Sequence, residues 1–422
     1  MDARPLTTIS FAEAFRFWLK LGFISFGGPT GQIAIMHAEL VEKRRWISES
    51  RFMHALNYCM LLPGPEAQQL ATYIGWLMHR TWGGVVAGGL FVLPSVFILI
   101  ALSWIYVTYG NVPLVAGLFY GIKPAVTAIV VVAAHRIGSR ALRHPALWAI
   151  AAAAFVAIAV FDAPFPAIVL AAGLAGYLGG RFFPAVFAQK NAHQAGKTYG
   201  PAFIDDATPT PPHALFSWPK LWGYAAAGLV LWAVPIALLA GTLQQMGWFF
   251  TKAALLTFGG AYAVLPYVFQ GAVEQHGWLT AAQMIDGLAL GETTPGPLIM
   301  VVAFVGFLGA SVAGALVATY FTFLPSFIFI FMGAPFIETT HGNLRFSAPL
   351  TGITAAVVGV ILNLALFFAW HVLWPAGTGG PFDWFSAVLG IAALVALFRY
   401  KVGVMPVIGA CALAGLAVTL LR

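Results

Sequence analysis

The sequence predicts an all-α integral membrane protein laid out as an inverted-topology tandem repeat. About nine full transmembrane helices are expected, with a pair of re-entrant or broken helical hairpins in each half. Three observations predict this. The 422 residues are 60% hydrophobic and only 8% charged, whereas globular proteins carry roughly a quarter charged residues. Landmark residues recur at a nearly fixed offset. Clusters of Lys and Arg in the first half have no counterpart at matching positions of the second.

The offset defines the repeat. FGG at 26–28 recurs at 258–260, and PGP at 63–65 recurs at 295–297 with the same spacing. Lys20, Glu42 and Trp46 return as Lys252, Glu274 and Trp278, again in that register. LPS at 93–95 and GI at 121–122 return at 324–326 and 352–353, where the register is shorter by one. A single slip over such a length is the mark of duplication. The expected organisation is a first repeat over 1–183, a linker over 184–220, a connecting membrane helix over 221–241 and a second repeat over 242–422. The linker is rich in Pro, Thr, Ala and charge, which suits an extramembrane strand of chain.

Each membrane element follows from its own composition. Residues 83–108 hold no charge and exceed the roughly 20 residues that span a bilayer; 221–241 is likewise uncharged, and 113–135 carries only Lys123. The N-terminal residues lack a charged region followed by a clean apolar run and a small-residue cleavage site, so no cleaved signal peptide is expected.

Orientation comes from charge. The segment EKRRWISESR (42–51) carries Lys43, Arg44, Arg45 and Arg51, while its partner EQHGWLTAAQ (274–283) has no Lys or Arg. Arg136, Arg140 and Arg143 follow the 113–135 helix, and the matching region has only His371 and Asp383. The positive-inside rule makes the first set cytoplasmic and the second external. The halves then run in opposite directions, the layout of many secondary transporters. The N-terminus and central linker are expected inside, with Arg181, Lys190, Lys197, Lys220, Arg345, Arg399 and Lys401 on the same side.

The pieces 52–62 and 66–79, separated by Pro63-Gly64-Pro65, are too short to span, and read as a re-entrant hairpin. Segments 11–26 and 31–41, broken at FGGPTG, read as a second. Short full spans are the alternative.

FGGPTGQIAIMHAELVEKRRWIS, LLPGPEAQQLATYIGW and FVLPSVFI, with FGGAYAVLPYVFQGAVEQHGWLT, GETTPGPLIMVVAFVGFLGA and FTFLPSFI, resemble the chromate transporter family in its two-domain form. The resemblance covers essentially the whole chain. It implies a carrier in the cytoplasmic (inner) membrane that exports chromate, coupled to protons; the inverted repeats add the expectation of alternating access around a midplane site built from broken helices. The resemblance leaves sulfate or another small anion open as substrate, and import as the direction.

A tetrahedral dianion at the bilayer midplane requires positive charge or converging N–H donors, because an unpaired buried charge is very costly. Helices starting at the two PGP triplets offer such donors at their N-terminal ends, with Pro65 and Pro297 at the first helical position. Gly27, Gly28, Pro63, Gly64, Pro65, Gly259, Gly260, Pro295, Gly296 and Pro297 are therefore the expected substrate-binding breaks. The competing reading is that these are packing turns only. Lys123, deep in a span, and Lys20 and Lys252, which precede the two FGG motifs, are expected anion-binding or coupling cations; snorkelling is the alternative for the last two. Glu66 and Glu292 beside the breaks are the expected proton carriers, with helix capping as the alternative for Glu66. Asp286, His54 and Asn57 are weaker candidates.

Other classes are disfavoured. The net charge of +7 is distributed as topological charge, so no nucleic-acid partner is expected. Cys59 and Cys411 are isolated and apolar in context, and no His/Cys/Asp cluster has metal spacing, so no cofactor, metal or catalytic residue is expected. A passive channel and a membrane enzyme stand as alternatives of a different class. The expected partners are an oxyanion, protons and lipid, and a homodimer is compatible with the reading.

Overall fold

A computed structural model describes residues 9–26, 28–187, 199–258, 260–340, 347–377 and 379–421. Gly27 and Gly259 lie outside the described residues, as do Lys190, Lys197 and Arg345. The described chain is helical, with a single isolated bridge between Ile47 and Ile204. In order come α1 (Phe11–Ile24), α2 (Gly28–His37), α3 (Glu49–Cys59), α4 (Glu66–Tyr109), α5 (Pro113–Ala141), α6 (Pro145–Phe161), α7 (Phe165–Phe182) and the short α8 (Pro184–Phe187). Then follow α9 (Trp218–Leu238), α10 (Gly241–Leu256), α11 (Ala261–Phe269), α12 (Ala281–Thr293), α13 (Val301–Thr340), α14 (Ser347–Leu373), α15 (Trp384–Phe398) and α16 (Val404–Leu421). Helices α2 and α11 each run on into a π-helical turn, Ala38–Lys43 and Gln270–Gln275.

Seven helices among the described residues are long and apolar enough to cross a membrane, and α6 and α15 are shorter apolar helices. The connecting helix begins at Trp218 rather than 221, because Pro219 sits comfortably in its first turn.

Helix α4 is a folded-back pair rather than a rod. His79 and Arg80 leave the helical region, Arg80 at φ +57° and ψ −158°. A Cβ on Gly83 would lie 2.2 Å from the carbonyl oxygen of Gly75. In a straight helix residues eight apart are about 12 Å apart along the axis. The arm 66–78 therefore doubles back on the start of the arm 81–109. The second half repeats the device: Ala310 and Ser311 break α13, Ser311 at φ +54° and ψ −150°. Two small residues at each reversal let the backbones touch, as packing without a hydrophobic driving force demands.

The two sequence halves interleave. Helices α4 and α13 pack on each other, with α1 beside α4 and α10 beside α13; α5 packs on α15 and α16 while α14 packs on α6 and α7. Small residues set the closest crossings. A Cβ on Gly121 would lie 1.9 Å from Cys411 O, and one on Gly352 would lie 2.4 Å from Ala172 O. Cys59 and Cys411 are free and buried.

The described part of the linker straps one end of this assembly. Phe203 N donates to Arg45 O at 2.9 Å, Ile204 N to Trp46 O at 3.0 Å and Ser48 N to Ile204 O at 2.9 Å. Ser48 Oγ donates to Asp206 Oδ1 at 2.6 Å.

Candidate functional site

The PGP triplets are where the halves are tied together. Each sits between two helices: α3 ends at Cys59 before the first, and α12 ends at Thr293 before the second. Pro65 and Pro297 are N-caps rather than first-turn residues, so the expected position is corrected by one. The helix proper starts at Glu66, and on the other side through a 3-10 turn, Leu298–Met300, running into α13. Neither Pro can supply a side-chain cap, whereas Ser10, Ser48 and Thr280 cap α1, α3 and α12.

Each glycine of the triplets bonds to the other half. Gly64 N donates to Thr257 O at 2.7 Å, and Gly296 N donates to Ser25 O at 2.7 Å. Ser25 and Thr257 are the C-caps of α1 and α10, immediately before the phenylalanines of the two FGG motifs. Their own hydroxyls turn back to Leu21 O and Ala253 O, both at 2.7 Å. The four breaks foreseen in the sequence thus meet in two crossed pairs. Gly28 (φ +68°) and Gly260 (φ +100°) sit at the far side of the FGG turns, with open space where a side chain would be.

Two glutamines brace the breaks. Gln69 Nε2 donates to Pro63 O at 2.8 Å, and Gln32 Nε2 donates to Gly296 O at 2.6 Å. Two serines from the opposite half close against the glycines. A Cβ on Gly64 would lie 2.3 Å from Ser326 Oγ, and one on Gly296 would lie 2.8 Å from Ser95 Cβ and 3.0 Å from its Oγ. Ser25, Gln32, Gln69, Ser95, Thr257 and Ser326 are all 0% exposed. Sequence reading missed these six as site residues. A signal was present: Ser25 and Thr257 stand at the repeat offset, and Ser95 and Ser326 are the serines of the repeated LPS.

The expected charged residues are placed differently. Lys20 is exposed and lines an open hollow with Glu13, Arg16 and Arg44. Lys252 is exposed too. Neither is brought to the PGP breaks. Lys123 is not a free cation: its Nζ lies 3.5 Å from Asp286 Oδ2, which also accepts from Tyr106 OH at 2.8 Å. Asp286, itself buried, is thereby promoted from weak candidate to the centre of a half-buried cluster joining α4, α5 and α12. A second cluster joins α3 to α13, where Arg51 Nη1 lies 2.6 Å from Glu338 Oε2 and Tyr73 donates to the same carboxylate. Arg51 Nη2 also donates to Thr208 O of the linker at 2.7 Å. Each cluster spans the two sequence halves.

The two glutamates differ. Glu66 occupies the first turn of α4, where a carboxylate favourably meets the helix dipole. Glu292 is next to last in α12, the unfavourable end, and is held by a hydrogen bond from Tyr262 OH. His54 has a buried Nε2 on α3 with no partner among the described residues, and Asn57 is half-buried there.

A helical bundle with hydrophobic exteriors, paired helix breaks in its interior and buried ion pairs between its halves defines a multi-pass membrane transport protein. The chromate transporter family matches residues 12–177 and again 244–416, and the chain belongs to that family. It is 36% identical over 422 aligned residues to the chromate transport protein of Pseudomonas aeruginosa, covering 96% of this chain and 92% of that one. Against the chromate transport protein of Cupriavidus metallidurans it is 31% identical over 399 residues, 93% of this chain and 89% of that one. An uncharacterized transporter of Methanocaldococcus jannaschii is 25% identical, with 85% of each chain covered. No solved structure matches the chain.

Proposed function

We propose that the protein exports chromate from the cytoplasm as a proton-coupled secondary carrier, by alternating access around the crossed helix breaks. The observation that carries this reading is the exchange of backbone bonds: each Pro-Gly-Pro is anchored to the FGG break of the other half. Rocking one half against the other then moves all four breaks together, the arrangement alternating access uses around a fixed midplane site. The reading includes the division into inverted repeats at 1–183 and 242–422, joined by a cytoplasmic linker from 184 and the connecting helix α9 (Trp218–Leu238). The N-terminus and linker lie on the cytoplasmic side of the inner membrane, and the hairpins are re-entrant.

Membership of the family, and the names carried by its Pseudomonas and Cupriavidus relatives, support chromate as the substrate. Glu292 is the proposed proton carrier, because nothing about its helix position favours a carboxylate there and Tyr262 offers it a proton-sharing partner. Glu66 is secondary, since helix capping already accounts for it.

The test is uptake of labelled chromate into inside-out vesicles bearing the purified protein, with and without a proton gradient. Accumulation that a protonophore collapses is the expected result. Folded protein that moves no chromate above protein-free vesicles refutes the proposal. Flux that follows the chromate gradient alone would instead mark a channel.

A further inference from the structure

Ser95 and Ser326 are fully buried, and their hydroxyls have no hydrogen-bond partner among the described residues. A buried helical hydroxyl can turn back to the carbonyl one turn earlier. Thr72 does so on α4, to Gln68 O at 2.9 Å, and Thr319 and Thr322 do so on α13, at 2.8 Å and 2.7 Å. Ser103 of α4 also lacks a partner among the described residues, but its repeat position holds Ala334, so it has no equivalent. Ser95 and Ser326 each follow a proline within their helix, Pro94 and Pro325. Their oxygens face Gly296 and Gly64 instead. A buried unsatisfied hydroxyl destabilises a fold by about 1–3 kcal/mol, and alanine would fill the same space without that loss. Packing alone therefore does not account for two of them at equivalent places.

The surroundings point the same way. Among the described residues the helix that starts at Glu66 has no side-chain cap and no acceptor for its first-turn amides, and buried helix ends require some partner. The candidate cations are engaged elsewhere or exposed: Lys123 with Asp286, Arg51 with Glu338, and Lys20 and Lys252 on outer faces. Apart from Glu66 and Glu292, already assigned to the proton, what each break offers is an uncharged set: one serine hydroxyl, backbone, and a glutamine whose amide oxygen has no partner among the described residues.

We infer that the transported oxyanion is recognised by neutral donors, with the Ser95 and Ser326 hydroxyls as its specificity-determining contacts. This deepens the proposed function and rests on it. Neutral donors suit a carrier: a hydrogen bond to a charged acceptor contributes about 1.5–3 kcal/mol, enough to select an ion that must later leave. Hydroxyls are directional, so they favour an ion with several fixed oxygens over a spherical halide. The glutamine oxygens Gln32 Oε1 and Gln69 Oε1 suit a water held beside the ion.

The experiment compares wild type, Ser95→Ala, Ser326→Ala and the double variant in chromate-uptake vesicles across substrate concentration. Each single change should raise KM about tenfold, equivalent to about 1.4 kcal/mol, and the double about a hundredfold, with maximal rate much less affected. Thermal unfolding is measured beside it. Without chromate the alanine variants should be as stable as wild type or more so. Added chromate should raise the Tm of wild type and leave that of the double variant unmoved. A double variant that keeps the wild-type KM and the chromate-dependent Tm rise overturns the inference and leaves chromate transport standing. Wild-type protein that neither transports nor is stabilised by chromate overturns both.

Discussion

Gly64→Ala tests the crossed breaks most directly. Gly64 has φ +128°, and a Cβ there would lie 2.3 Å from Ser326 Oγ and 2.7 Å from Gln69 Nε2. A side chain in that backbone region costs about 1–3 kcal/mol. Forcing a methyl into a closed contact costs about 1–3 kcal/mol more, so the whole loss is about 2–6 kcal/mol. Ser326 is fixed by its helix, and Gly64 cannot back away from it because Gly64 N is held to Thr257 O. Gly89, on the same α4, has nothing within 4 Å of its would-be Cβ. Gly89→Ala should be neutral, or stabilising by up to about 1 kcal/mol, and serves as the control. Thermal unfolding in detergent and vesicle uptake read the outcome: Gly64→Ala should lower Tm by several degrees and abolish transport. Adding Ser326→Gly should recover the part of the steric loss that Ser326 causes and leave the backbone part. If Gly64→Ala matches Gly89→Ala in both assays, the break is not closed as described.

The other predictions concern the charges. Arg51→Ala strands the buried Glu338 and should destabilise by about 3–5 kcal/mol, and Glu338→Gln in the same chain should recover much of it, as denaturation would show. Asp286→Asn leaves Lys123 without its counter-ion and should depress transport and lower Tm, with Lys123→Met in the same chain restoring the Tm; equal Tm for single and double variants would refute the coupling. Glu292→Gln should abolish proton-driven chromate accumulation while sparing chromate–chromate exchange, and Glu66→Gln should spare both. The linker should loosen in acid. Burial holds the imidazole of His213, which sits against Trp76 O, below its ordinary value, so the unfolded chain takes up the proton first. The stability this gives the strap is present above about pH 6.5 and is lost as pH falls from there through the lower folded value; proteolysis at the linker should quicken in that window, and His213→Gln should remove the pH dependence.

Much of the fold was legible because its signals are periodic or repeated. Apolar length marks the helices, and the near-constant repeat offset locates paired breaks and paired hairpins. Lys123 illustrates the limit. Its depth in a span was readable, but its engagement by Asp286 was not, since the partner lies in the other half of the chain on another helix. The fold-back at 79–80 was half visible, as the end of a short piece; that the piece returns on its neighbour depends on Gly75 meeting Gly83.

By itself the sequence determined an all-α membrane protein with breaks at Pro-Gly-Pro and FGG, because proline, glycine and hydropathy act locally. Only the tertiary structure decided which break meets which. That pairing depends on backbone and small side chains from opposite halves coming within bonding distance, and a one-dimensional spacing carries no record of it. Hence Ser95 and Ser326, ordinary serines in a helix by sequence, became the polar groups facing the glycines, while the lysines that looked suited to an anion turned outward or found carboxylates.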